Sequence, residues 1–364
     1  MKGILANVGR IDWALVGLVV LLSAVSVLNL QSTSRATGSE VYLSQLYWML
    51  LGLGVMAGVA VVNYRDLQRY APVFYGGVII ALVLVLIFGR EINGSRRWID
   101  LGFVGFQPSE LAKIAIILSL ASWFQKETRP GGYGFKDLLP VAAMLGAPML
   151  LILQEPDLGH TLMLLFIAGS MLAFERFEKR TMLIVVVSAI VLAPIAWRFV
   201  LRDYQKDRIL TLVDSEADVL GAGWHARQAR VAVGSGGLLG KGHGEGTQVA
   251  GGFLPENHTD FVFANLAEEH GFVGGALVLL IYLGIVLVAL RSAVRARDKF
   301  GGHVAVGVAA LIFWHVVMNM GMVLNVLPVT GVTLPLLSYG GTSVLTVMAA
   351  MGLLLNINLR RTVF

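Results

Sequence analysis

Ten times along this chain a stretch of roughly 17–22 predominantly apolar residues ends in a polar break, the length a helix needs to cross about 30 Å of hydrocarbon. The stretches run near Ile11–Leu30, Val41–Asn63, Ala71–Gly89, Gln107–Phe124, Leu138–Leu153, Leu158–Phe174, Thr181–Val200, Phe272–Leu290, Val304–Leu324 and Tyr339–Asn356. Each has to be helical, because lipid offers no partner to backbone N–H and C=O groups. Composition agrees: 56% of the 364 residues are hydrophobic and 14% charged, against about 25% charged in a soluble chain. The expected fold is an all-α polytopic membrane protein of about ten transmembrane helices, one domain over residues 1–364. The first stretch lacks a small-residue cleavage site and reads as a retained span, not a signal peptide.

Ten spans put both termini on one side, and charge chooses it. With the termini inside, the inner segments hold Lys2, Arg10, Arg65, Arg69, Lys126, Arg129, Lys136, Arg176, Lys179, Arg180, Arg291, Arg295, Arg297, Lys299, Arg360 and Arg361. The short outer loops hold only Arg35, Arg90, Arg96 and Arg97. That asymmetry is the positive-inside pattern, so both termini are expected in the cytoplasm, in a multi-pass protein of the cytoplasmic (inner) membrane. The net charge of +5 then reports topology and anionic lipid, and no nucleic-acid partner is expected. With no cysteine in the chain, thiol and disulfide chemistry are excluded.

One connection is far longer than the rest. Residues 201–271, between the seventh and eighth spans, are polar and glycine-rich, and fall on the outer side. A loop of this size either works or is disordered, and its turn signals (Gly234-Ser235-Gly236-Gly237, Gly240-Lys241-Gly242, Gly251-Gly252) argue for a folded, functional one.

Unusual residues gather on that outer side. Pro108-Ser109-Glu110 is a helix start with an acid in its first turn, and Lys113 lies about two turns inside the apolar stretch. Lys113 either snorkels outward beside Glu110 or lines a polar cavity that binds an anion. Arg96, Arg97 and Trp98 either anchor a helix at the interface or bind phosphate while the indole covers a sugar or lipid face. Glu155 and Asp157 sit in a very short outer turn, where the pair either supplies a helix cap and nothing more or has a functional role. In Glu256-Asn257-His258-Thr259-Asp260, either Thr259 or Asp260 is a helix cap, or Asp260 is a partly desolvated carboxylate able to take a proton. Glu268, Glu269 and His270 follow about two turns on.

Several classes drop out. Ser235–Gly242 ends in Gly-Lys but lacks the first glycine and the Ser/Thr of a P-loop. There is no HExxH, the seven histidines show no metal-ligand spacing, and no GxSxG is present.

Five motifs taken together resemble the SEDS family (shape, elongation, division and sporulation). They are Gly94-Ser95-Arg96-Arg97-Trp98; Phe106-Gln107-Pro108-Ser109-Glu110; Pro156-Asp157-Leu158-Gly159; Phe253 through Phe261; and Leu327-Pro328-Val329-Thr330-Gly331 with Leu334 through Gly341. The resemblance covers essentially the whole chain and is closer to the family's elongation member than to its division member. His160 departs from the pattern, standing where a small or hydroxyl residue is usual.

The resemblance implies a peptidoglycan glycosyltransferase that polymerises lipid II into β-1,4-linked strands, with undecaprenyl diphosphate as leaving group. It implies Asp260 as the essential carboxylate and general base. Arg96, Arg97, Lys113 and a loop cation, Arg208 or Lys241, are candidates for the diphosphate; Trp98, Glu110, Asp157, Glu256, His258 and Ser338 complete the substrate-binding candidates. A divalent cation, Mg or Mn, is a candidate at the diphosphate, and no other cofactor is expected. Expected partners are lipid II, a class B penicillin-binding protein and other membrane proteins of the elongation complex. A lipid-II flippase and a non-catalytic scaffold for the penicillin-binding protein are the competing readings.

Overall fold

The structure, a computed structural model, describes residues 11–92, 95–100, 102, 105–127, 129, 131–213, 222–254 and 256–360. Lys2, Arg10 and Arg361 of the charge pattern, and Gly94 and Pro255 of the motifs, lie outside these residues.

The ten apolar stretches are ten helices: α1 (Trp13–Thr37), α2 (Val41–Val61), α3 (Tyr64–Phe88), α4 (Pro108–Lys126), α5 (Leu138–Gln154), α6 (Leu158–Ala173), α7 (Lys179–Ile195), α11 (Val262–Val294), α12 (Lys299–Val323) and α13 (Gly341–Arg360). Eight helical segments among the described residues are long and apolar enough to cross a membrane. The other two helices are α6, at 16 residues, and α4, which carries Glu110 and Lys113. Helix ends follow local chemistry. Asp12 caps α1, accepting from the Leu15 amide at 3.3 Å, and Gly38 ends it in the left-handed conformation.

The bundle is layered by polarity. In α12 and α13, 72% and 78% of the apolar window is buried inside the protein, and α4 is buried along nearly its whole length. In α3, α5 and α7 the share is 22%, 17% and 0%, so Leu, Ile and Val face outward, as lipid requires.

Two features of the connections were not anticipated. The segment before α4 forms a three-stranded antiparallel sheet, β1 (Arg90–Ile92), β2 (Ser95–Asp100) and β3 (Gly105–Phe106), pairing Glu91 with Arg96 and Ile99 with Phe106. The long connection is mostly helical, with α8 (Asp203–Val213), α9 (Ala222–Ser235) and α10 (Thr247–Ala250). It then enters α11, which is broken at Gly271 (φ 64°, ψ −162°), a conformation open only to glycine. The eighth apolar stretch is the limb after this break. The limb before it, Val262–His270, is a short and mostly buried half-helix that begins two residues after Asp260.

Candidate active site

Asp260 lies in a turn that hydrogen bonds fasten to the irregular segment between α12 and α13. The Asn319 amide donates to the Asp260 carbonyl and to the Val332 carbonyl, both at 2.8 Å. The Ser338 hydroxyl donates to the Thr259 carbonyl (2.5 Å) and accepts from the Leu334 amide (2.8 Å), while the Tyr339 amide donates to the His258 carbonyl (2.8 Å). Two motifs some 70 residues apart in sequence thus become one surface. Ser338 is 3% exposed, and its hydroxyl is spent on this fastening.

The cap reading of Asp260 does not describe this turn. The residue flanking α11 is Phe261, and no side chain caps the helix. Among the described residues the Asp260 carboxylate has no hydrogen-bond partner. It faces Gly331, where an added Cβ would stand 3.4 Å from Oδ2 on a backbone with φ +72°. Burial pushes the Asp260 carboxyl up to about 6; the Glu256 charge adds to the push and Arg208 opposes it. A carboxylate held near neutrality, unpaired and partly accessible has the properties of a general base.

Two guanidinium groups stand near it. Arg97 donates to the carbonyls of Glu155 (3.1 Å) and Pro156 (2.5 Å) and lies 3.9 Å from Asp157. Arg208 donates to the Val329 carbonyl at 2.9 Å. Together with Pro156, Gln205, Val329 and Thr330 they line a narrow cleft. His258 and Thr259, which precede Asp260 in the chain, line a groove of about 810 Å³ together with Tyr47, Trp48, Trp98 and Tyr339. The cleft is lined by cations and the groove by aromatic rings.

Behind Arg97 a row of buried charged and polar groups runs into the bundle. Asp157 caps α6 and accepts from His160 Nδ1 at 2.9 Å, and His160 Nε2 donates to Glu110 at 2.9 Å. Each ring nitrogen meets a carboxyl group, an arrangement that suits an imidazolium shared between two acids. Glu110 pairs with Lys113 at 2.9 Å, and Lys113 donates to His315 Nε2 at 2.9 Å. His315 Nδ1 in turn donates to the Thr333 carbonyl at 2.9 Å. Lys113 is 0% exposed, so it does not snorkel; the i,i+3 pair with Glu110 forms, but deep inside the protein. Asp157 is both the cap and a member of this row. Glu155 beside it is 1% exposed, and burial with the Asp157 charge pushes its carboxyl up to about 8.

The remaining candidates lie elsewhere or face solvent. Arg96 is exposed and pairs with Glu91 at 3.5 Å. Glu256 is exposed and accepts from the Thr259 hydroxyl at 2.9 Å. Lys241 is drawn to Glu268 at 2.6 Å, in a separate cluster at the break in α11. Sequence reasoning passed over His315 and Asn319, and gave His160 no role. A polar residue in an apolar stretch was the available signal for the first two, and the departure from the motif for the third.

The chain is similar to known proteins along nearly its whole length. The model of the FtsW, RodA and SpoVE family, described as cell cycle proteins, matches residues 7–362. The peptidoglycan glycosyltransferase MrdB of Escherichia coli K12 is 38% identical over 346 residues, covering 94% of this chain and 93% of that one. A chain of a peptidoglycan synthase complex, solved for its structural coordination of polymerization and crosslinking, superimposes with TM-score 0.83 at 32% identity, covering 97% and 99%. The rod shape determining protein RodA of Thermus thermophilus superimposes with TM-score 0.69 at 30% identity, covering 96% of each chain.

Proposed function

This chain belongs to the FtsW, RodA and SpoVE family and is a peptidoglycan glycosyltransferase of the cell-elongation type, and we propose that Asp260 is its general base. The observation that carries the assignment is the Asp260 carboxylate, without a hydrogen-bond partner among the described residues and within the electrostatic reach of Arg208 and Arg97. Lipid II is the substrate, serving as donor and as the end of the growing strand. The acceptor sugar 4-hydroxyl gives its proton to Asp260 as its oxygen forms the new bond to the donor anomeric carbon. The bond from that carbon to the diphosphate oxygen breaks, and undecaprenyl diphosphate leaves with the electron pair.

The cleft and the groove each have a task in that step. Charge grows on the departing diphosphate, and Arg208 and Arg97 are the cations nearest the base; guanidinium forks match phosphate oxygens. Trp98, Trp48 and Tyr339 offer flat apolar faces on which sugar rings lie, with His258 at the same wall. The buried row from Asp157 to His315 keeps Arg97 in place, so Glu110, Lys113 and Asp157 act as positioning residues. Mg and Mn prefer sets of oxygen ligands. At a diphosphate, one or two protein carboxylates together with the phosphate oxygens would hold such an ion, and the carboxylates at this site are Asp260 and Glu256.

A class B penicillin-binding protein is the partner. Likeness to a chain in a peptidoglycan synthase complex supports a crosslinking companion, because polymerised strands need a transpeptidase. The protein lies in the cytoplasmic membrane with both termini inside and the Asp260 end outside. Reporters fused after Arg129 and Lys299 are expected to score cytoplasmic, and one within Gly234–Gly252 to score outside. A cytoplasmic score for that last fusion would overturn the placement of the site.

The activity is tested with purified protein, lipid II and a partner whose transpeptidase is blocked, reading glycan chains. Polymer is expected, with a rate that rises as pH increases through about 6 and then levels, because the base works only when deprotonated. A rate insensitive to pH between 5 and 7 would argue against Asp260 in this role.

A further inference from the structure

A second set of converging side chains lies at the break in α11 and shares no residue with the Asp260 site. One ligating atom each from His243, Glu269 and His270 lies within 4.8 Å of the others. Glu269 is 2% exposed. Its Oε1 accepts from the Ser32 hydroxyl, while its Oε2 is buried with no hydrogen-bond partner and points at His243 Nδ1, 3.4 Å away. A buried carboxylate oxygen left open is costly unless something fills the gap.

The backbone holds these residues together without help from a ligand. The amides of Lys241 and Gly242 donate to the carbonyls of Glu268 and Glu269, both at 3.0 Å. The amides of Phe272 and Val273 donate back to Gly237 (2.9 Å) and Leu238 (3.1 Å). The loop is therefore laced to both sides of the Gly271 break, which carries His243 to Glu269 and His270. Neighbouring Lys241 is committed to Glu268 at 2.6 Å.

We propose that His243, Glu269 and His270 form a binding site for a divalent transition-metal cation of the zinc class. Two imidazoles and one carboxylate make a donor set that suits zinc and its first-row neighbours, and not Mg or Ca, which take oxygen. Zinc bonds of about 2.0–2.1 Å at tetrahedral angles place ligand atoms about 3.3–3.4 Å apart, matching the spacing from His243 Nδ1 to Glu269 Oε2. A side-chain rotation brings in His270. The Ser32 hydroxyl fixes the carboxylate from behind, as outer partners of metal ligands do. His243 is 36% exposed, so the fourth position opens to water. The ion would pin three parts of the fold to one another: α1 through Ser32, the loop through His243, and the half-helix through Glu269 and His270.

The test uses the full-length chain without a polyhistidine tag, stripped of metal and titrated with Co²⁺, then competed with Zn²⁺ and with Mg²⁺. One Co²⁺ per chain is expected, with visible d–d absorption of a four- or five-coordinate site that Zn²⁺ abolishes and Mg²⁺ leaves unchanged. His243→Ala, a surface substitution that leaves the backbone lacing intact, should weaken binding by about 10²-fold or more, and His270→Ala likewise. Zn²⁺ should also raise the melting temperature of the wild-type chain and not that of His243→Ala. Absence of the d–d band in the wild type, equal displacement by Mg²⁺, or wild-type affinity in both histidine variants would each overturn the proposal.

Discussion

Asp260→Asn is expected to accumulate as folded protein and bind its partner normally while glycan synthesis falls about 10²-fold or more. Asn matches Asp in size and keeps the backbone carbonyl that Asn319 holds, but it cannot take a proton as a carboxylate does. The turn gives a second, opposite readout. The Asp260 carboxyl is raised from 3.8 to about 6, so between those values the folded state binds the proton more tightly than the unfolded state. The stabilising effect of that proton is complete at low pH and is lost as pH rises through about 6, leaving a cost of order 1–3 kcal/mol at neutral pH. Asn carries no charge and escapes the cost. The variant should therefore melt at the same or a higher temperature than the parent at pH 7.5, with the difference shrinking toward pH 4. Near-normal polymerisation by Asp260→Asn would remove the general-base assignment. Loss of activity accompanied by a lower melting temperature would trace the defect to folding instead.

The second large effect is expected from Lys113→Ala. Lys113 is wholly enclosed, with Glu110 and His315 both at 2.9 Å. Removing the ammonium leaves Glu110 buried with only His160 to balance it and His315 Nε2 without a donor. Breaking a buried pair in this way costs about 3–5 kcal/mol. Both stability and polymerisation should fall, in contrast to Asp260→Asn. The double substitution Lys113→Met with Glu110→Gln removes both charges and keeps much of the volume, so it should recover part of the lost stability. Additive losses in the double variant, read as melting temperature and as yield of monodisperse protein, would show that the pair is not energetically coupled.

How far the chain can be read without its structure differs from feature to feature. The ten helices were legible because each depends on a local quantity, the length of an apolar run set against the thickness of hydrocarbon. The Glu110–Lys113 pair was legible for the same reason, since i,i+3 spacing places both on one helical face. Asp260 stood out as an acid at the mouth of an apolar segment, although its two readings could not be separated there. The β-meander before α4 was missed: its strands are two to six residues long, too short for alternation to distinguish them from a loop.

The sequence by itself determined that this chain spans a membrane about ten times, which side collects its cations, and which residues stand apart from an apolar background. These follow from hydropathy, charge and neighbouring residues, whose energies depend on a few positions at a time. Only the tertiary structure decided what those residues do. Lys113 meets His315 across 202 positions, Ser338 meets Thr259 across 79, and Lys241 meets Glu268 across 27. It also decided that Asp260 caps nothing, and that the half-helix ends at Gly271 where the loop closes over it. A buried polar group must find a partner wherever the packed fold supplies one, and sequence separation does not constrain that choice.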